Sequence, residues 1–186
     1  MSTTAFQGAV RPVREADLPV LAALNDAAVP AVSPLGLTGL RAHLPTCDLA
    51  LAAEHDGEPA ALLLALTPGS AYPSENYQWF ETHRPGSLYV DRIVVAPHVH
   101  GRGLGRALYG AALEHAAALG LAEVTCEINV DPPNPESMAF HTRMGFRRIG
   151  DLDTKGGSIR VALMARPVAS LRAKHSAEPG VRGRDS

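Results

Sequence analysis

Val95-Ala96-Pro97-His98-Val99-His100-Gly101-Arg102-Gly103-Leu104-Gly105-Arg106-Ala107-Leu108 is the stretch on which the reading of this chain turns. Before it, Ser87 to Val95 carries the best strand pattern in the sequence. After it, apolar residues recur at helical spacing from about Arg106 to Leu119, and Gly120 suits the position just past a helix end. The glycines therefore lie between a buried strand and a helix N-terminus. Unpaired N–H groups and about half a positive charge at such an end can hold a phosphate. Glycine lets the backbone approach the anion without a Cβ in the way. Arg102 and Arg106 add cationic donors. A plain tight turn would use the same glycines, so the spacing alone leaves both readings open. No Gly-Lys-Ser/Thr is present, which excludes a Walker loop, and a dinucleotide-binding fold would place the glycine turn after its first strand rather than after about the fourth. A pyrophosphate-bearing ligand bound in mid-sheet remains.

Outward from this turn, Val10 to Val13 reads as a short strand and Arg14 to Ala28 as a helix with acidic residues in its first turn. A second short helix is expected over Leu37 to Leu44. Asp48 to His55 and Glu58 to Thr67 form a hairpin across Asp56-Gly57, a pair that tolerates positive φ. Pro68 to Gly86 reads as a long polar-aromatic loop holding Tyr72, Tyr77, Trp79 and Phe80. Glu123 to Val130 is a strand, Asp131 to Pro135 a proline loop, and Glu136 to Met144 a short helix closed by Gly145. Phe146 to Leu152 and Ser158 to Met164 are the closing strands. From Pro167 to Ser186 the chain is polar and aperiodic, and is expected not to fold.

The 186 residues suit one domain, expected over residues 8–166. A formal net charge of −2 argues against a nucleic-acid binder held by a basic surface. Two distant cysteines, Cys47 and Cys126, make neither a disulfide framework nor a zinc set. The histidines show no ligand spacing, so no metal is expected. The N-terminus lacks a basic-then-apolar signal pattern, and no apolar run approaches the ~20 residues of a membrane span. A cytoplasmic protein without membrane or nucleic-acid partners is the expectation.

The motif Val95-x-Pro97-x-x-x-Gly101-Arg102-Gly103-Leu104-Gly105-Arg106-x-Leu108 resembles the acyl-CoA motif of the GNAT superfamily of N-acetyltransferases. A second segment, Asn134-x-x-Ser137-x-x-Phe140-His141-x-x-Met144-Gly145-Phe146, is similar to the family's Asn-x-x-Ala-x-x-Leu-Tyr-x-x-Leu-Gly-Phe at the family's spacing. The resemblance covers about residues 8 to 166. It implies an α/β (α+β) fold with a mixed, mostly antiparallel sheet of about seven strands flanked by helices, whose two central strands splay apart around the acyl group. It further implies that acetyl-CoA is held by Ile93, Val94 and Val95, by His100, Gly101, Arg102, Gly103, Leu104, Gly105 and Arg106, and by Asn134. The pantetheine would pair with the Ile93–Val95 strand, from which a backbone N–H would polarise the carbonyl. Two positions depart from the family pattern. His100 stands where Gln or Arg is usual, and His141 stands where the family carries the Tyr that protonates the departing thiolate.

Transfer to an amine also needs a base. Asp91, beside Arg92 in an apolar strand, is either a structural ion pair or the group that binds and deprotonates the amine. Glu127, in Thr125-Cys126-Glu127-Ile128-Asn129, is the other candidate, with Asn129 placed to orient a substrate. Cys126 has no cationic neighbour in sequence and is read as buried and inert. Tyr72, Tyr77 and Trp79 are expected to border the acceptor cleft. The expected activity is acetyl-CoA-dependent N-acetylation of a small-molecule primary amine by direct attack. A non-catalytic acyl-CoA sensor and a protein N-acetyltransferase are the rivals, and a homodimer is left open.

Overall fold

The computed structural model describes residues 8–168. Its sheet has seven strands in the order β1-β2-β3-β4-β5-β7-β6, and only β4 and β5 run parallel. The strands are β1 (Val10–Pro12), β2 (Leu49–His55), β3 (Glu58–Leu66), β4 (Ser87–Val95), β5 (Glu123–Asp131), β6 (Arg147–Thr154) and β7 (Ile159–Pro167). The mixed, mostly antiparallel sheet expected from the sequence is therefore present. At the β2–β3 turn Asp56 and Gly57 adopt φ of 53° and 86°, as an Asp-Gly hairpin requires.

Among the described residues five α-helices flank the sheet: α1 (Leu18–Ala27), α2 (Gly36–His43), α3 (Glu75–His83), α4 (Leu104–Ala118) and α5 (Pro135–Arg143). Period-2 alternation sorts the strand residues onto two faces. On one face Ala61, Leu63, Val124, Cys126 and Ile128 pack with Leu104, Leu108, Tyr109 and Ala112 of α4. On the other, Ala52, Leu62 and Leu64 meet Leu18, Leu21 and Leu40 from α1 and α2. Leu66, Tyr89, Val161 and Leu163 meet Tyr77 and Phe80 of α3 on that same side.

Helix α3 corrects the reading of Pro68 to Gly86 as loop. The Ser74 hydroxyl accepts the Tyr77 N–H at 3.4 Å, and Glu75 occupies the first turn, where a carboxylate complements the helix dipole. Tyr77 and Phe80, three apart, make its buried face. Helix α4 also starts earlier than expected, directly after Gly103. At the C-terminus β7 runs to Pro167, opposite Glu123, and the Val168 N–H donates to the Ala122 carbonyl at 2.9 Å. The remainder of the segment read as an unfolded tail lies outside the described residues.

Candidate active site

Strands β4 and β5 pair only at their beginnings, Ser87 to Tyr89 against Glu123 to Thr125. Beyond Tyr89, β4 continues along β3 alone, and β5 continues along β7 alone. The sheet opens there into a wedge-shaped cleft of about 260 Å³. On the β3 side, the Ala96 N–H donates to Ala60 O and Val94 stands opposite Leu62. Because antiparallel ladders bond at alternate residues, Ile93 and Val95 turn their N–H and C=O groups into the opening, whereas those of Val94 are used on β3.

At the end of β4 the chain enters the glycine turn. Gly101 and Gly103 have φ of 79° and 89°, and an added Cβ at Gly101 would meet open space. Among the described residues, the N–H groups of Gly103, Leu104, Gly105 and Arg106 find no acceptor, and no side chain caps the helix. Arg102 and Arg106 are exposed and form no ion pair among the described residues. Leu104 is buried in the core, so it offers the turn only its N–H. Gly105 has a different reason to be glycine: a Cβ there would lie 3.0 Å from Cζ of Phe140 on α5. The His100 ring folds back, with Nε2 2.9 Å from the Val95 carbonyl. Asn134 lines the cleft and caps α5, accepting the Ser137 N–H at 3.2 Å. These residues fit coenzyme A: free helix-end N–H groups and two unpaired guanidiniums suit its phosphates, and the outward amides of Ile93 and Val95 suit an extended amide chain.

Inside the cleft the carboxyl of Glu127 is enclosed. Its Oε1 accepts from Asn76 Nδ2 at 2.8 Å and from the Tyr89 hydroxyl at 3.0 Å. Its Oε2 is buried without a partner, as is Oδ1 of Asn76. Burial and the nearby charge of Asp91 push its pKa up to about 8, although the two hydrogen bonds oppose the rise. Glu127 Oε2, once ionised, and Asn76 Oδ1 are acceptors without donors on two hydrogen-bonded residues, which suits a group rich in N–H.

Asp91 is held quite differently. A register shift in the β3–β4 ladder makes it the extra residue of a β-bulge, because Arg92 stands opposite Leu64 and Val90 opposite Ala65. Consecutive residues of a regular strand face opposite ways; the bulge turns both Asp91 and Arg92 towards α1 and α2. The carboxylate of Asp91 takes Arg92 Nε at 2.7 Å, His43 Nε2 at 3.1 Å and the Tyr72 hydroxyl at 2.9 Å. Burial works against its charge, but the His43 hydrogen bond and Arg92 outweigh that and keep its pKa below the ordinary value.

His141 and Tyr109 meet at the far wall, 2.7 Å from Nε2 to the hydroxyl oxygen. Nδ1 lies 2.8 Å from the Ser137 carbonyl, which can only accept. Burial lowers the pKa of the ring, against the raising effect of that carbonyl. The neutral ring therefore carries its proton on Nδ1, and Nε2 accepts from Tyr109. Cys126 also lines the cleft, and burial drives its thiol pKa up, so it stays protonated.

Of the aromatic residues expected at the acceptor cleft, Tyr72 lines it and packs its ring 4.7 Å from that of His43. Tyr77 and Trp79 do not line it. The Tyr77 ring is buried under the sheet, with its hydroxyl oxygen 2.9 Å from Thr67 O and 2.8 Å from Glu81 Oε2, and Trp79 stacks on His83 with centroids 4.3 Å apart. The helical turn of α3 carries both away and presents Asn76 instead. Asn129 lines the cleft and donates from Nδ2 to Pro30 O at 3.1 Å, tying β5 to the α1–α2 loop. Asn76, Tyr109, Arg92 and Lys155 line the cleft without having been singled out as site residues. Tyr109 alone left a local trace, since a phenol on the Leu/Ala face of a buried helix needs a polar partner.

Residues 21–146 match the model of the Acetyltransferase (GNAT) family. The mycothiol acetyltransferase of Pseudarthrobacter chlorophenolicus is 34% identical over 125 residues, covering 63% of this chain and 36% of that protein. The probable spermine N(1)-acetyltransferase of Bacillus subtilis subsp. natto is 26% identical over 84 residues, covering 45% of this chain and 55% of that one. The chain thus spans about a third of the length of the mycothiol acetyltransferases it matches. Among solved structures, a phosphinothricin acetyltransferase from Sinorhizobium meliloti in complex with AcCoA superposes with a TM-score of 0.65 at 20% identity, covering 93% of each chain. A ribosomal-protein-alanine N-acetyltransferase from Brucella melitensis also gives 0.65, at 24% identity, covering 86% of this chain and 99% of that one. These identities speak for the fold. Because the matched segment runs from α1 through both splayed strands and the glycine turn to the residue before β6, the chain belongs to the GNAT acetyltransferase family.

Proposed function

We propose that the chain is an acetyl-CoA-dependent N-acetyltransferase that acetylates a primary amine of a small-molecule acceptor by direct attack in a ternary complex. The observation that carries this reading is the enclosed Glu127 carboxyl, with a pKa near 8 and a free Oε2, at the point where β4 and β5 part. Acetyl-CoA supplies the thioester whose carbonyl carbon the amine attacks. Glu127 Oε2 takes the proton of the acceptor ammonium, and Asn76 Oδ1 orients the same group. A proton affinity close to that of the working solution is what a general base requires. Asp91 is engaged by three donors; its charge raises the proton affinity of Glu127, and its bonds fix Arg92, His43 and Tyr72. It is a positioning residue. The outward N–H groups of Ile93 and Val95 supply the backbone donors for the carbonyl oxygen.

At the other end, His141 remains the proton source, acting through Tyr109. A neutral His141 has no proton on Nε2 to give. A proton taken up from solvent water at Nε2 charges the ring, which then donates Nε2–H to the phenolic oxygen while the phenolic proton passes to the departing thiolate, so the proton taken up is the one delivered and both groups end neutral.

The test is to incubate the full chain with acetyl-CoA and a panel of primary amines, measuring free thiol and acetylated product together. Thiol release matched by acetyl-amine supports the reading. Coenzyme A binding without turnover of any amine would leave the sensor reading in its place.

A further inference from the structure

We propose that the acceptor carries an acidic group as well as its amine, a carboxylate in the simplest case, and that Lys155 and Arg92 hold it. This rests on the acetyl-transfer reading above and names the substrate class of the same cleft.

The first observation is Lys155. It sits between β6 and β7, at the mouth of the cleft, with φ of 52°. A non-glycine residue there is strained by the order of 1 kcal/mol, so the surrounding structure must impose it. Its N–H donates to Glu75 Oε2 at 2.8 Å, which pins the turn to the start of α3. Its Nζ reaches only the neutral Ser33 hydroxyl, at 3.1 Å. Among the described residues no carboxylate forms an ion pair with it.

The second observation is Arg92, whose side chain is 5% exposed. Nε is spent on Asp91, and Nη1 on Asn25 Oδ1 at 2.9 Å and Ser33 O at 3.2 Å. Nη2 makes no hydrogen bond of ordinary geometry among the described residues, and the further polar neighbour of the guanidinium is the Tyr72 hydroxyl, which itself donates to Asp91. Arg92 lines the cleft together with Ser33, Asp91 and Lys155. A buried guanidinium keeping one donor pair free is built to receive a planar oxyanion.

Ser33 joins the two cations, its carbonyl on Arg92 and its hydroxyl on Lys155. The loop carrying it is itself fixed, since the Asp26 carboxylate accepts the N–H groups of Leu35 and Gly36. The charges add up in the same direction. Asp91 compensates Arg92, so Lys155 is left over on the wall. Glu127 in its ionised form and Asn76 accept at their free atoms and take the ammonium on the β5 and α3 side of the cleft. A zwitterionic amine satisfies both sets of groups, whereas a purely cationic amine leaves the Arg92 and Lys155 donors unused.

The experiment pairs L-alanine, L-glutamate and L-phenylalanine with their α-carboxamides, which keep the amine and remove the charge. Turnover with acetyl-CoA and equilibrium binding in the presence of coenzyme A are both measured on the full chain. The acids should be favoured over their amides by about tenfold or more in kcat/KM and in affinity. Lys155→Gln should erase most of that ratio, and Lys155→Arg should restore it, which separates lost charge from a disturbed turn. Equal treatment of acid and amide, an unchanged ratio in Lys155→Gln, or no binding of any acid would each overturn the proposal. If acids bind preferentially but no amine is acetylated, the subsite stands and the acetyl-transfer reading falls.

Discussion

The Tyr89 hydroxyl donates to Oε1 of Glu127 at 3.0 Å, across the last paired residues before β4 and β5 separate. Tyr89 is fully buried, and burial together with the charge of Glu127 drives its own pKa up, so it remains a donor. One oxygen of Glu127 is thereby fixed and the other left without a partner. The arrangement orients a base without consuming it.

Replacing that base should show in the rate and in its pH profile. Glu127→Gln keeps the shape and removes the proton acceptor, so kcat should fall by roughly 10²- to 10⁴-fold. In the unmodified chain, kcat/KM should climb about tenfold per pH unit below a bend near 8, where Glu127 ionises. The variant should lack that bend. An unchanged bend would assign it to the acceptor amine.

Stability should respond in the opposite sense. The folded state holds the Glu127 proton up to about pH 8, against an ordinary value of 4.5, so this group's contribution is full below 4.5 and is lost as pH rises through 8. Glu127→Gln removes the penalty of a buried charge. Urea unfolding should find the variant about equal to the parent near pH 4.5 and more stable at pH 9, by an amount on the order of a few kcal/mol.

Two glycines of one turn should fail in different ways. Gly103→Ala forces an L side chain into φ 89° at the residue that opens α4, and so disturbs the turn that presents the free N–H groups. It should raise KM for acetyl-CoA about tenfold or more. Gly105→Ala puts its Cβ 3.0 Å from Phe140, whose ring is itself backed by Tyr109 and His141. Overpacking of about 1–3 kcal/mol should outweigh the better helix propensity of Ala, giving a lower melting temperature with a smaller change in KM. Steady-state kinetics and thermal melts on both variants separate the two roles.

The Tyr109–His141 pair predicts that Tyr109→Phe and His141→Phe cause similar losses in kcat, roughly 10²-fold, with little change in KM for acetyl-CoA. The double variant should be scarcely worse than either single one, because the two groups pass one proton. Additive losses would show that they act separately.

Much of this was legible in the sequence because it is local. The apolar run of Ser87 to Val95, the positive φ of Asp56-Gly57, and the free N–H groups after Gly103 depend on residues within a few positions of one another. The Asn134 to Phe146 segment, with its Asn cap and Gly145 close, is equally local. Helix α3 was hidden because Pro68, Gly69, Pro73, Pro85 and Gly86 frame a segment with only two buried apolar positions.

The chemistry was decided elsewhere. Asp91 and Arg92 read equally well as an ion pair or as a base with its neighbour, and a bulge set by the β3 register turned both to one face. The proton affinity of Glu127 depends on desolvation by the fold, the charge of Asp91 on β4, and donors 38 and 51 residues away. The tautomer of His141 follows from Ser137 on its own helix, but what its Nε2 meets is a hydroxyl 32 residues distant on α4. Backbone periodicity and turn geometry are written within short stretches of sequence. The protonation state of a buried group is set by everything packed around it, and only the tertiary structure brings those neighbours together.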